Sequence, residues 1–166
     1  MIMKIRPYQP EDLQTLKEIT VEAFQGVSID EGIEREFGII NGHDWKWRKA
    51  GHVEADAKRE PEGIFIAEID DQIVGYISTW HDAETGIGYI PNMAFIPECR
   101  GQGMGRKLLE YALEHFRQLN LSLAKIETLE QNAIGNHLYT SLGFQEIVKQ
   151  VHFVAPLSPA AREESP

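Results

Sequence analysis

The chain has 166 residues, 42% of them hydrophobic and 25% charged, the mix of an ordinary globular domain. That composition excludes a disordered chain, a collagen-like repeat and a disulfide-dense miniprotein, and a lone cysteine, Cys99, excludes an internal disulfide or a cysteine-based zinc site. A net charge of −10 repels phosphate, so nucleic acid and membrane surfaces are not expected partners.

In chain order, residues 3–8 read as a short strand. A helix is expected to open at Pro10, a favoured first position, with Glu11 and Asp12 against the positive helix end. Leu13, Leu16, Ile19, Ala23 and Phe24 continue it at helical spacing. Ser28 followed by Glu31 has the form of a capping box, predicting a second helix from Ile29 that ends before Asn41-Gly42. A third helical piece is read over Asp44 to Lys58, and Trp45 and Trp47 cannot both lie on one of its faces. After the Pro61-Glu62-Gly63 break, Phe65–Ile69 and Ile73–Trp80 flank a short turn as a hairpin. A strand over Ile87–Ile96 contains Pro91, which cannot donate to a ladder, so a bulge or an edge is expected there. A periodic helix follows, with Met104, Leu108, Tyr111, Ala112, Phe116 and Leu119 on one face. Leu123–Leu129 reads as a strand, Asn132–Leu142 as a helix and Phe144–Val154 as a final strand. One domain over 1–155 and a flexible tail over 156–166 are expected.

The segment Arg100-Gly-Gln-Gly-Met-Gly-Arg106 joins a strand to a helix. Its glycines leave the backbone free to turn tightly, and the amides of a helix start converge there under a favourable dipole. That is a cradle for phosphate or pyrophosphate, with Arg100, Arg106 and Lys107 adding charge at its rim. A Walker loop is rejected, because Gly105-Arg106-Lys107 lacks the hydroxyl that would hold magnesium. A dinucleotide fingerprint fits badly, because the spacing is Gly101-x-Gly103-x-Gly105 and several strands precede it. The pattern Arg100-x-x-Gly103-x-Gly105 remains, beside a tight turn that holds nothing.

Further patterns accompany the loop. Asn132-x-x-Gly135-x-x-Leu138-Tyr139-x-x-x-Gly143-Phe144 resembles the motif closing the acyl-CoA site of the GNAT superfamily of N-acetyltransferases. The hairpin from Phe65 to Ile77 and the opening Ile5-Arg6-Pro7 with Pro10-Glu11-Asp12 resemble the same family. The resemblance runs from about residue 3 to 154. It implies a mixed α/β (α+β) fold with a central, mostly antiparallel sheet of six to seven strands, one splayed pair, and four to five flanking helices. It implies acetyl-CoA or coenzyme A as cosubstrate, without a metal. In that arrangement Asn92 lies at or beside the bulge, Met93, Ala94 and Phe95 line the pantetheine, and Arg100, Gly101, Gln102, Gly103, Met104, Gly105 and Arg106 hold the pyrophosphate. Asn132 binds the cofactor, caps the last helix, or does both.

By resemblance Tyr139 donates a proton to the leaving thiolate; otherwise it is a core tyrosine with a satisfied hydroxyl. Glu127 resembles the catalytic glutamate of ribosomal-protein alanine acetyltransferases, a partly desolvated strand carboxylate that takes the ammonium proton; otherwise it binds substrate or is simply solvated. Tyr89 and His81 are weaker candidates for the base. His43, His52, His115, His137 and His152 have no metal-ligand spacing, and Cys99 reads as a surface thiol. The expected activity is acetyl transfer to a primary amine, small molecule or peptide, by direct attack in a ternary complex. A protein α-amine acetyltransferase and a catalytically silent acyl-CoA sensor are the alternatives. A cytoplasmic setting is expected. The family usually ends with two strands after the Gly-Phe pair, and here only the stretch Phe144–Val154 precedes a polar tail, so either the last strand is missing or a partner, as in a homodimer, covers the exposed edge.

Overall fold

In the computed structural model, which describes residues 2–157, the chain enters through β1 (Lys4–Pro7), paired antiparallel with β2 (Ile64–Ile69). Arg6 leaves β1 to bind Asp12 through two hydrogen bonds of 2.7 and 2.9 Å, and Glu68 at 2.7 Å. Asp12 also accepts the Gln9 amide at 2.8 Å, closing a 3-10 turn over Pro10–Asp12. The regular helix α1 (Leu13–Ala23) therefore begins three residues after the proline.

Two further helices follow, α2 (Ile29–Phe37) and α3 (Trp45–Arg59). The start of α2 is where the sequence places it, but the capping box does not form. The Ser28 hydroxyl is buried without a partner, and Glu31 accepts from the Gly26 amide instead. Asp44 does cap α3, accepting the Trp47 amide at 2.8 Å. Trp45 is buried on the inner face of α3, whereas Trp47 is exposed and stacks on His43 at 3.7 Å.

The sheet has five strands in the order β1-β2-β3-β4-β5, with β3 spanning Gln72–Asp82, β4 Ile87–Phe95 and β5 Leu123–Ile126. All neighbours are antiparallel except β4 and β5, which are parallel because α4 (Met104–Gln118) carries the chain back across one face. Both faces are covered, so β2 reads as a continuous apolar run. Ile64 and Ile66 pack under Leu16, Ile19 and Val53 of α1 and α3, while Phe65, Ala67 and Ile69 meet Leu108, Leu109, Ala112 and Phe116 of α4. Gly88 is one point of closest approach: a Cβ there would sit 2.7 Å from the Phe116 ring.

Two strand expectations fail. The strand read over Leu123–Leu129 stops at Ile126, and residues 144–157 pair with nothing among the described residues, so the sheet has five strands and not six or seven. Residues 144–154 have a strand-like sequence, but no neighbouring strand supplies the ladder that would make them one. The tail predicted over 156–166 lies, from residue 158, outside the described residues. The last helix, α5 (Ala133–Ser141), is capped by Asn132, which accepts the Gly135 amide at 3.2 Å.

Candidate active site

The two parallel strands separate. β4 pairs with β5 from Ile87 opposite Leu123 to Ile90 opposite Ile126, then continues to Phe95 paired only with β3. The cause of the parting lies on the other side of β4. Between the pairs Ser78–Asn92 and Trp80–Tyr89 the register shifts, so Ile90 and Pro91 together face the single residue Thr79. This bulge falls at the proline, the residue without an amide to donate. Beyond it Ile96 donates to Val74 at 2.9 Å. Antiparallel alternation then turns the Met93 and Phe95 amides away from β3 and into the gap left by β5.

At the far end of this gap stands the glycine loop. Gly101 and Gly103 both have φ of +73°, and Gly103 is the left-handed residue from which α4 starts. This conformation lets the chain reverse immediately before the helix, so successive amides point outward rather than into the preceding turn. Among the described residues, none of the backbone amides from Gly101 to Arg106 donates to a protein acceptor. The first bond back into the chain is Lys107 to the Gly103 carbonyl, at 3.3 Å. Arg106 turns toward α5 and donates to the Ser141 hydroxyl. Arg100 and Lys107 are exposed at the rim.

The start of α4, the gap and α5 converge. A Cβ on Gly105 would lie 3.5 Å from Leu138 and 4.0 Å from the Met93 methyl. Tyr139, one residue on, is half-buried against the same core and edge-on to Phe144, and burial pushes its phenol pKa up, keeping it protonated. The Asn132 amide is engaged on both sides, with Nδ2 donating to Thr128 at 2.9 Å.

The opposite side of the bulge carries a polar network that the sequence does not announce. Lys49, only 8% exposed, donates from Nζ to Asn92 Oδ1 at 2.9 Å and lies 3.8 Å over the Phe24 ring. Asn92 Nδ2 donates to Asp56 Oδ2 at 2.7 Å, and the Ser78 hydroxyl donates to that same oxygen at 2.7 Å. Ser78 in turn accepts the Asn92 amide at 3.2 Å, the bond that fastens the bulge. Asn92 thus bridges a buried ammonium and a carboxylate that do not touch. Desolvation holds the Lys49 pKa below the usual lysine value, against the pull of Asp30 and Asp56.

Other candidates are placed differently from expectation. Glu127 lies one residue past β5, its side chain 73% exposed and bound to Lys125 at 2.6 Å, so it is not the partly desolvated strand carboxylate predicted. The strand ends there because β4 has already turned away. Tyr89 stacks on Trp80 at 4.0 Å, with Arg59 and Lys125 over the outer faces of the pair. His81 is bound through Nδ1 to Glu60 at 2.6 Å. Cys99 is buried in the core, not at the surface, and burial raises its thiol pKa. No group of His, Cys, Asp or Glu among the described residues is placed to hold a metal ion, and no helix among them is long and apolar enough to cross a membrane.

Comparison with known proteins gives the same class. The pattern defining the acetyltransferase (GNAT) family matches residues 16–144, and the chain belongs to that family. It is 28% identical to an N-acetyltransferase of Archaeoglobus fulgidus over 84% of this chain and 90% of that one. It is 30% identical to an N-acetyltransferase of Methanocaldococcus jannaschii over 87% of this chain and 79% of that one. Its fold matches the crystal structure of the PaiA N-acetyltransferase of Thermoplasma acidophilum in complex with coenzyme A, with a TM-score of 0.70, 21% identity, and 87% and 91% of the two chains covered. The protein is an acyltransferase of the GNAT fold.

Proposed function

We propose that the protein transfers an acetyl group from acetyl-CoA to a primary amine by direct attack, with both substrates bound at once. The observation that carries this reading is the run of undirected amides from Gly101 to Arg106 beside a gap into which the Met93 and Phe95 amides point. A diphosphate fits the first and an extended amide-bearing arm fits the second, because each supplies acceptors where the chain leaves donors without partners. Arg100 and Lys107 add local attraction for the anion in a protein whose overall charge of −10 would otherwise repel it.

The chemistry then needs little. Alignment of amine and thioester supplies most of the acceleration. The Met93 amide polarises the carbonyl and receives the oxyanion as it forms. Tyr139, kept protonated by burial, donates to the departing thiolate. Glu127 takes the ammonium proton through water, for which its partner Lys125 must move aside. Asn132 contributes a remaining amide hydrogen to the cofactor while it caps α5. The coenzyme A complex of the Thermoplasma protein supports this choice of cosubstrate.

Free-thiol release from acetyl-CoA, measured against a panel of small amines and of peptides with free α-amines, tests the proposal. Turnover with small amines is expected; turnover confined to peptides would make the protein an α-amine acetyltransferase, and tight coenzyme A binding with no transfer would make it a sensor. Tyr139→Phe should lower kcat by on the order of 10²-fold with coenzyme A affinity unchanged, and Glu127→Gln should lower kcat/KM several-fold.

A further inference from the structure

Two opposite charges on α3 stand one turn apart and do not meet. Asp56 and Arg59 have the spacing at which a carboxylate and a guanidinium on a helix face one another. Each is instead fixed to a different part of the sheet. Asp56, half-buried, turns to Ser78 and Asn92, both of which bond its Oδ2 at 2.7 Å. Its Oδ1 takes no donor among the described residues and reaches solvent. Arg59 lies 4.6 Å over the Trp80 ring. Arg48 and Lys58 on the same helix each pair with a carboxylate, and Arg59 pairs with none among the described residues. That is unexpected in a chain where acids outnumber lysines and arginines by 26 to 16. The floor between the two charges runs up to the gap. Ser78 and Trp80, two apart on β3, share a face, and the extra residue of the bulge brings Tyr89 and Asn92 of β4 to that face as well. Trp80 and Tyr89 are stacked and half-buried there, and Tyr89 stands opposite Lys125, one pair before β5 parts from β4.

We propose that Asp56, Arg59, Trp80 and Tyr89 form the subsite of the acceptor, and that the acceptor is an α-amino acid rather than a polyamine. Its ammonium binds Asp56 Oδ1, its carboxylate takes the fork of Arg59, and its side chain lies over the stacked rings. A molecule carrying both charges close together matches two opposite charges held one turn apart. A polyamine would satisfy Asp56 but set its second cation against Arg59 and Lys125. The role as acceptor rests on the acetyl transfer proposed above; the binding does not. In that reaction the ammonium gives up its proton to Glu127, its nitrogen takes the acetyl group, and coenzyme A leaves as the thiol.

Calorimetry on the full chain loaded with coenzyme A compares L-phenylalanine with phenethylamine, the same molecule without its carboxylate. The net charge of −10 favours the bare cation at long range, so a preference for the amino acid must come from local cations. Phenylalanine is expected to bind about tenfold tighter or more. Arg59→Met keeps an aliphatic chain over Trp80 and should bring the ratio close to one without changing the melting temperature. Asp56→Asn keeps an oxygen for Ser78 and should weaken both ligands alike, with coenzyme A affinity unchanged. Equal affinities in the wild type, no binding of either ligand, or a preference that survives Arg59→Met overturns the proposal. So does an Asp56→Asn variant that binds both as before. Thiol release from acetyl-CoA is read separately: a tenfold preference in binding without any release upholds the subsite and removes the acetyl transfer.

Discussion

The two sides of the β4 bulge are built by opposite means. On the side of α4, the functional groups are backbone amides with nothing to donate to, set by two left-handed glycines and one missing hydrogen-bond ladder. On the side of α1 and α3, Lys49, Asn92, Asp56 and Ser78 are bonded to one another through side chains. A cradle of amides keeps its shape because local dihedral angles dictate it, whereas a side-chain network keeps its shape only while every member is present. The first leaves donors free at the mouth of the gap, and the second holds the strand that borders it.

Substitutions on the two sides should therefore fail in different ways. The largest expected effect is on stability, from Asp56→Ala, which leaves Ser78 and Asn92 without their shared acceptor and the buried Lys49 ammonium without its nearest bridged counter-charge. Two hydrogen bonds to a charged group are worth about 3 kcal/mol together, so the melting temperature should fall by roughly 6–12 °C. A fall of a degree or less would mean that the network is dispensable. Next comes Gly103→Val, which places a β-branched residue at φ +73°. Calorimetry should find coenzyme A binding weakened about tenfold or more, an energy of about 1.4 kcal/mol, and the backbone strain of about 1–2 kcal/mol should lower the melting temperature by roughly 2–8 °C. Gly105→Ala is the control, since its Cβ would meet Leu138 at an ordinary 3.5 Å and its φ is not left-handed.

The smallest effect concerns pH. Burial lowers the Lys49 pKa from 10.5, so between its lowered value and 10.5 the unfolded chain holds a proton that the folded chain has released. Stability gained from this group therefore rises with pH across that window. Lys49→Met should remove the rise, seen as a flatter difference curve against wild type in denaturant titrations on the alkaline side. An unchanged curve would show that Lys49 stays fully charged when folded.

What could be read from the sequence divides along the same line. The glycine loop and the bulge at Pro91 are local, written in consecutive residues, and both stand where the sequence puts them; on α4 Met104, Leu108, Ala112 and Phe116 are buried as expected, but Tyr111 and Leu119 are exposed and Leu109 is buried in their stead. Lys49, Asp56 and Ser78 meet Asn92 across 43, 36 and 14 residues, with no spacing rule to announce it. For Glu127 the sequence left a partly desolvated and a solvated carboxylate both open, and the solvated one is found, because where β5 ends depends on where β4 turns away. Residues 144–154 show a further limit: alternation tells what a segment is suited for, and only tertiary context supplies its partner. Ser28 adds a smaller case, a capping pattern whose glutamate finds another amide first.

The seam between β4 and β5 is four residue pairs long, and across the sheet it is all that joins the last strand to the four before it. Prising that junction apart strains a few bonds near one end, while the long antiparallel ladder of β3 and β4 stays whole. The gap is thus a pair of leaves on a short spine, held together within the sheet by those four pairs alone.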